Sequence, residues 1–217
     1  FEALEDGALT LDHQLIVSRK AARQPRVKLG LKRGDLITVE DAILALVTRS
    51  ANDVATVIAE ALGGTEAAFA HLMTQRAQSL GMEATLFRNA SGLPNGEQIT
   101  SARDMARLAH EIWLQFPKHY TYFSAQTFNH NGKAFESHNK LLASYTGVDG
   151  LKTGYTRASG FNLVSSALRD GERLIAVVIG SSSAKARNAH MASLLDYGFR
   201  KLESPTSALQ KPTCKFK

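Results

Sequence analysis

The 217-residue sequence predicts an α+β domain: a cluster of helices, then an antiparallel sheet, then a helix laid against that sheet. Three observations predict it. Helical periodicity and capping signals dominate the stretch from Ile37 to Trp113. Two apolar runs, 161–168 and 173–180, flank Asp170-Gly171, a strong signal for a tight hairpin turn between antiparallel strands. Helical and strand patterns are segregated along the chain, which argues against an alternating βαβ arrangement.

The elements follow in order. FEALEDG (1–7) reads as the last turn or two of a helix ended by Gly7, with its beginning upstream of Phe1. LTLDHQLIVS (9–18) has strand composition, and the stretch from there to about residue 36 is basic and looped. ITVEDAILALVTRS (37–50) predicts a helix with Thr38 as its cap and acids in its first turn. A second helix is expected from Asn52 to Leu62, closed by Gly63-Gly64. TEAAFAHLMTQRAQSLG (65–81) predicts an amphipathic helix with Phe69, Leu72, Met73 and Leu80 on its inner face and Gly81 beyond its end. FRNASGLPNGEQ (87–98) is a loop, and 100–113 a helix with Met105, Leu108, Ala109 and Ile112 inward. Residues 121–136 read as extended and 148–153 as a short strand. RLIAVVIG (173–180) is almost wholly apolar and is expected in the middle of the sheet. A last helix over 183–200 would bury Met191, Leu194, Leu195 and Phe199. The expected organisation is one domain over 1–201 and a polar tail or linker over 202–217.

Composition narrows the function. No stretch approaches the ~18 apolar residues of a membrane span. The formal net charge of +6 favours anionic partners, but the basic residues are scattered, which argues against nucleic acid. A single cysteine, Cys214, excludes an internal disulfide. The seven histidines show no ligand spacing, so no metal site is expected. Phosphate-binding glycine loops are absent from the sequence, and no cofactor is implied.

The chemistry concentrates at VDGLKTGYTRASG (148–160). A buried strand has no use for Lys152, Thr153 and Gly154 in succession. On an edge strand beside a cleft, the lysine supplies a positive charge and the threonine a hydroxyl for a carboxylate. The glycine admits a substrate backbone, and the strand can pair with an extended peptide. The Tyr155 N–H is then a candidate oxyanion donor. K-T-G alone arises by chance in about one chain in twenty of this length, and S-x-N in about half. The sequence holds two S-x-N strings, Ser50-Ala51-Asn52 and Ser137-His138-Asn139. The first falls between two helices, where it could serve a cleft or cap a helix.

In combination these motifs resemble the penicillin-recognising serine enzymes, which carry S-x-x-K, S-x-N and K-T-G in that order. The chain is most similar to their low-molecular-weight D-alanyl-D-alanine carboxypeptidases. The resemblance runs through VEDAILALVTRSANDVATVIAEALGG, FRNASGLPNGEQITSARDMARLA and SHNKLLASYTGVDGLKTGYTRASGFNLVSSA, and extends over about residues 1–201. It implies the β-lactamase/transpeptidase-like fold and the family's roles. Ser50 would relay a proton, Asn52 would hold the catalytic lysine and the substrate amide, and Lys152 would supply the field. Thr153 would bind the terminal carboxylate beside Gly154, the Tyr155 N–H would form half the oxyanion hole, and Arg187 would help hold the carboxylate. The implied partners are a peptidoglycan stem peptide ending in D-Ala-D-Ala and β-lactam antibiotics. The implied location is periplasmic or extracellular, with association to the inner membrane compatible with it.

The pattern breaks at its first motif. S-x-x-K occurs only at Ser137–Lys140 and Ser182–Lys185, both out of order and neither opening an apolar helix. The resemblance places the nucleophile about ten residues before Phe1, so a separate N-terminal fragment carrying S-x-x-K is an expected partner. No E-x-x-L-N-type segment separates S-x-N from K-T-G, which argues against a β-lactamase. The expected activity is a penicillin-sensitive D-Ala-D-Ala carboxypeptidase. The alternatives are a D,D-endopeptidase or a noncatalytic peptidoglycan- or penicillin-binding fragment.

Overall fold

The computed structural model describes residues 1–203. The chain opens with a helical turn, α1 (Glu2–Glu5), then β1 (Gln14–Ile16), a second turn α2 (Arg19–Ala22) and β2 (Leu36–Thr38). The helices α3 (Val39–Arg49), α4 (Asn52–Gly63), α5 (Glu66–Ser79) and α6 (Ala102–Gln115) follow. Next come α7 (Pro117–Tyr120), a 3-10 turn (Thr121–Ser124), β3 (Thr127–His130) and β4 (Lys133–Glu136). The one-turn α8 (Leu141–Ser144) precedes β5 (Val148–Thr156), β6 (Gly160–Arg169) and β7 (Glu172–Ser181), and α9 (Ala184–Glu203) closes the described chain. α9 thus runs past the boundary expected at residue 201; the remainder of the expected tail, 204–217, lies outside the described residues.

Local chemistry sets the ends of these elements. The Thr38 hydroxyl accepts from the Asp41 N–H and starts α3, as its position before an acidic first turn predicts. Thr65 and Ser101 cap α5 and α6 in the same way. Asp170 and Gly171 both have positive φ, 49° and 81°, the requirement of the tight turn that joins β6 to β7.

The main sheet has the order β5-β6-β7, wholly antiparallel. β6 is the central strand, so the expectation that 173–180 lies in the middle is corrected: β7 is flanked by one strand only among the described residues. Its apolar run has another cause. Leu163 and Val178 pack with Met191, Leu195 and Phe199 of α9, while Val164, Ile175 and Val177 pack with Met105, Ala109 and Ile112 of α6. β7 is apolar on both faces because helices cover both faces, a condition that a sequence cannot distinguish from flanking by two strands.

Other expectations also shift. Of residues 121–136, the first four form the 3-10 turn, because Phe123 packs its ring against Tyr120 and Phe1 instead of continuing a strand. On α5 the buried face is Glu66, Ala70, Thr74 and Ala77, with Leu72 exposed. Small side chains let α5 lie close to α4, and a Cβ on Gly63 would come within 2.8 Å of the Phe69 backbone N. On α9 the buried stripe is Arg187, Met191, Leu195 and Phe199, one residue every four, and Leu194 is outside it.

A second core joins the helices to the small β1–β2 ribbon through Leu15, Val17, Ile37, Ile43, Val54 and Phe128. Within it sits the Asp53 carboxylate, fully buried, accepting from the N–H groups of Leu29, Gly30 and Leu31 at 3.1, 2.9 and 3.2 Å. The adjacent Asn52 N–H donates to the Val27 carbonyl at 2.8 Å. The loop 25–31 is therefore tied to the first turn of α4. Elsewhere, Arg173 of β7 makes a two-pronged pair with Asp149 (2.9 and 2.7 Å) and lies 5.3 Å from the ring centres of both Trp113 and Tyr120. This joins α6 and α7 to the sheet. No described helix is long and apolar enough to cross a membrane.

Replacing Asp53 by Ala would leave four backbone donors, the N–H groups of Leu29, Gly30, Leu31 and Val54, without their acceptor. The expected loss is about 3 kcal/mol, read as a lowered midpoint in urea unfolding; an unchanged midpoint would mean that water or a neighbouring carbonyl replaces the carboxylate.

Candidate active site

The first S-x-N string sits at the break between α3 and α4. Ser50 ends α3 in the left-handed region, φ 55° and ψ 46°, a conformation that a serine adopts only when its surroundings impose it. Its N–H still bonds back to the Leu46 carbonyl at 3.1 Å. α4 then starts from Ala51 without a side-chain cap. Ser50 is thus the C-cap of α3 through its backbone, while neither Ser50 nor Asn52 supplies a side-chain cap to α4. The Ser50 hydroxyl receives a short hydrogen bond from the Lys152 ammonium, and the Asn52 amide Nδ2 donates to the Pro25 carbonyl at 3.2 Å.

Lys152 comes from β5, the edge strand that the K-T-G reading requires. It also donates to the Thr153 carbonyl at 2.8 Å. Lys152 is in register with Val164 and Thr153 with Leu163, so the two side chains leave opposite faces of the strand, Thr153 on the face that α9 covers. Gly154 is exposed, and a Cβ there would meet only the Asn162 side chain, at 3.8 Å. The protein's own packing therefore does not demand glycine at this position; the open space faces outward along the edge. Tyr155 is 60% exposed, its ring 4.4 Å from that of Phe161.

Arg187 projects from the first turn of α9 and is buried, 4% exposed. Its guanidinium donates to the neighbouring Asn188 Oδ1 at 3.0 and 2.8 Å and reaches the Asn162 carbonyl at 3.5 Å. Among the described residues, no carboxylate pairs with Arg187 or Lys152. Burial, and secondarily the Arg187 charge, pull the Lys152 ammonium down to a pKa of about 8. Burial also lowers the pKa of Arg187. A buried arginine and a partly buried lysine, with no carboxylate beside them among the described residues, are an arrangement that an anion would stabilise. A lysine pKa this close to neutrality also lets the amine exchange a proton with the hydroxyl it touches.

The site can be compared with known proteins. Residues 1–183 match the D-alanyl-D-alanine carboxypeptidase family. The chain belongs to that family. It is 33% identical to D-alanyl-D-alanine carboxypeptidase DacF of Bacillus subtilis over 94% of this chain and 53% of that protein. It is 36% identical to D-alanyl-D-alanine carboxypeptidase DacD of Escherichia coli over 90% of this chain and 52% of the relative. The chain spans about half the length of these relatives. Among solved structures, penicillin-binding protein 6B of Escherichia coli superposes with a TM-score of 0.86 at 35% identity, covering 92% of this chain and 65% of the other. The ampicillin-bound penicillin-binding protein D2 of Listeria monocytogenes superposes at 0.82 and 32%, covering 91% and 81%. The α+β, transpeptidase-like fold expected from the sequence is the fold observed.

Within this family member, neither S-x-x-K string is built like a nucleophile. Ser137 is buried and its hydroxyl accepts the Asn139 N–H, while Lys140 points to Glu136 at 2.6 Å. Ser182 and Lys185 are both exposed. The second S-x-N string has a different part. The His138 N–H donates to the Thr48 carbonyl at 3.3 Å, and the imidazole Nε2 lies 3.4 Å from Arg49 Nη1. Asn139 donates to the Gly150 carbonyl at 3.3 Å. Ser137–Asn139 therefore bridges the end of α3 and the start of β5, the two elements that carry Ser50 and Lys152. Burial first, then Lys152 and Arg49, hold the His138 pKa below its usual value. The sequence reading assigned no site role to His138 or Arg49; a repeated S-x-N near K-T-G was the available signal.

The depressed Lys152 pKa has a measurable consequence. Between about pH 8 and 10.5 the unfolded lysine holds a proton that the folded one has lost, so the lysine's contribution to stability rises with pH. Wild type minus Lys152→Met should therefore gain about 2–3 kcal/mol of unfolding free energy across that window. Parallel stability curves for the two proteins would place the Lys152 pKa at its ordinary value.

Proposed function

We propose that this chain forms most of the catalytic domain of a serine-type D-Ala-D-Ala carboxypeptidase that trims peptidoglycan stem peptides through an acyl-enzyme and is sensitive to β-lactams. The observation that carries the reading is the contact between the Ser50 hydroxyl and the Lys152 amine beside a buried Arg187 that has no carboxylate partner among the described residues. A substrate ending in a free carboxylate supplies the missing anion. Thr153 and Arg187 receive that carboxylate, and Gly154 lets the peptide lie along the open edge of β5. Asn52 has one amide proton committed to Pro25 and a second for the substrate's amide carbonyl. The Tyr155 N–H serves as an oxyanion donor.

The nucleophilic serine and its lysine base belong to an S-x-x-K segment upstream of Phe1, present as part of a longer chain or as a retained separate fragment. The serine attacks the penultimate D-alanine carbonyl, and its proton passes to the lysine. Ser50, linked to Lys152, hands a proton to the nitrogen of the departing D-alanine. Water then hydrolyses the ester and returns the serine. Lys152 lowers the cost of the negative charge that develops at the carbonyl. Such substrates place the protein in the periplasm or outside the cell.

Fluorescent-penicillin labelling tests the reading on a denaturing gel with intact masses. Label on an N-terminal fragment or extension, lost in Ser50→Ala or slowed about a hundredfold or more, is the expected result. Label on Ser137 or Ser182 would overturn the assignment of the nucleophile. No label on the protein with its upstream segment present would favour a noncatalytic binding role.

A further inference from the structure

The net charge of the chain is not spread over its surface. Residues 14–34 carry seven Lys and Arg side chains and no Asp or Glu, while acidic residues slightly outnumber basic ones elsewhere; the whole of the net +6 lies in this segment. Lys20 is paired with Glu66 at 2.7 Å, and Lys28 donates to the Ala22 carbonyl at 3.1 Å. Arg19, Arg23, Arg26, Lys32 and Arg33 are exposed, and none has a carboxylate partner among the described residues. Two concavities lie here, one of about 480 Å3 bordered by Arg19 and Arg33, the other of about 530 Å3 bordered by Arg19, Lys20 and Arg23.

The segment is not a loose basic arm. The Pro25 and Val27 carbonyls hold the side chain and the backbone N–H of Asn52, and the Asp53 carboxylate holds the N–H groups of Leu29, Gly30 and Leu31. Arg26 lies between the two carbonyls that grip Asn52, two residues along from Ser50. A fixed array of like charges repels itself, and an anionic ligand relieves that repulsion. Four of the five unpaired groups are arginines, whose planar fork suits carboxylates. One terminal carboxylate already has Thr153 and Arg187; the cations here are additional to that need.

We propose that Arg19–Arg33 extends the substrate cleft and selects acidic peptides, its arginines engaging stem carboxylates that lie outside the D-Ala-D-Ala terminus. This rests on the carboxypeptidase reading. It makes the protein discriminate between stems whose side-chain carboxylates are free and stems in which they are amidated.

The test is fluorescence anisotropy with two labelled peptides ending in D-Ala-D-Ala, one with two glutamates upstream and one with glutamines in their place. The expected result is about tenfold tighter binding of the glutamate peptide at low ionic strength. That preference should vanish at about 0.5 M salt and in the combined variant Arg23→Gln, Arg26→Gln, Arg33→Gln. The variant should bind the glutamine peptide as wild type does, since all three side chains are exposed. Equal affinities in wild type would overturn the proposal and leave the carboxypeptidase reading standing. A glutamate preference that survives in the variant would overturn the assignment to this segment. Failure to bind either peptide would overturn both readings.

Discussion

The hydrogen bond between Lys152 and Ser50 closes a span of 102 residues and joins the two halves of the molecule. One partner sits at the end of α3 and the other on β5, the outer strand of the sheet. The contact depends on supports from several directions. Ser50 must hold a left-handed conformation that brings its hydroxyl out of the α3 axis. Asp53 and Asn52 fix the start of α4 against the 25–31 loop, and the Ser137–Asn139 bridge ties the end of α3 to Gly150.

The site that this contact closes is electrostatically unbalanced. A protein built for stability alone would place a carboxylate between Lys152 and Arg187, because an enclosed cation without a partner costs more than a paired one. The structure does so elsewhere: Arg173 has Asp149, and the buried Glu66 has Lys20. At the cleft it does not, and Lys152 responds by giving up its proton more readily than an ordinary lysine. Burial first, and the Arg187 charge second, tune that acidity, and the missing counter-charge suits a ligand that brings its own anion.

Much of this was legible in the sequence, for local reasons. Caps at Thr38, the Asp170-Gly171 turn and the K-T-G on an edge strand are written in a few adjacent residues, and the structure has each of them. What was not legible depends on contacts between distant segments. The apolar run of β7 says that both faces are covered but not by what. The inner face of α5 is made of Ala and Thr because α4 comes close, which periodicity of large residues cannot reveal. His138 and Arg49 gain their place only once the hairpin β3–β4 folds back onto α3. The basic residues of 19–33 read as scattered because the loop that gathers them has no motif.

Trp113 is the chain's single tryptophan, and the Arg173 guanidinium lies against its ring on the side of the sheet that α6 covers. Its core takes in Val164 of β6 and Leu151 of β5 as well as Ile175 and Val177 of β7. Its emission is therefore an optical gauge of one seam, the docking of α6 onto β7, and would be quenched or shifted when that seam opens. The molecule thus carries a reporter of the loosening of its scaffold, without any added dye.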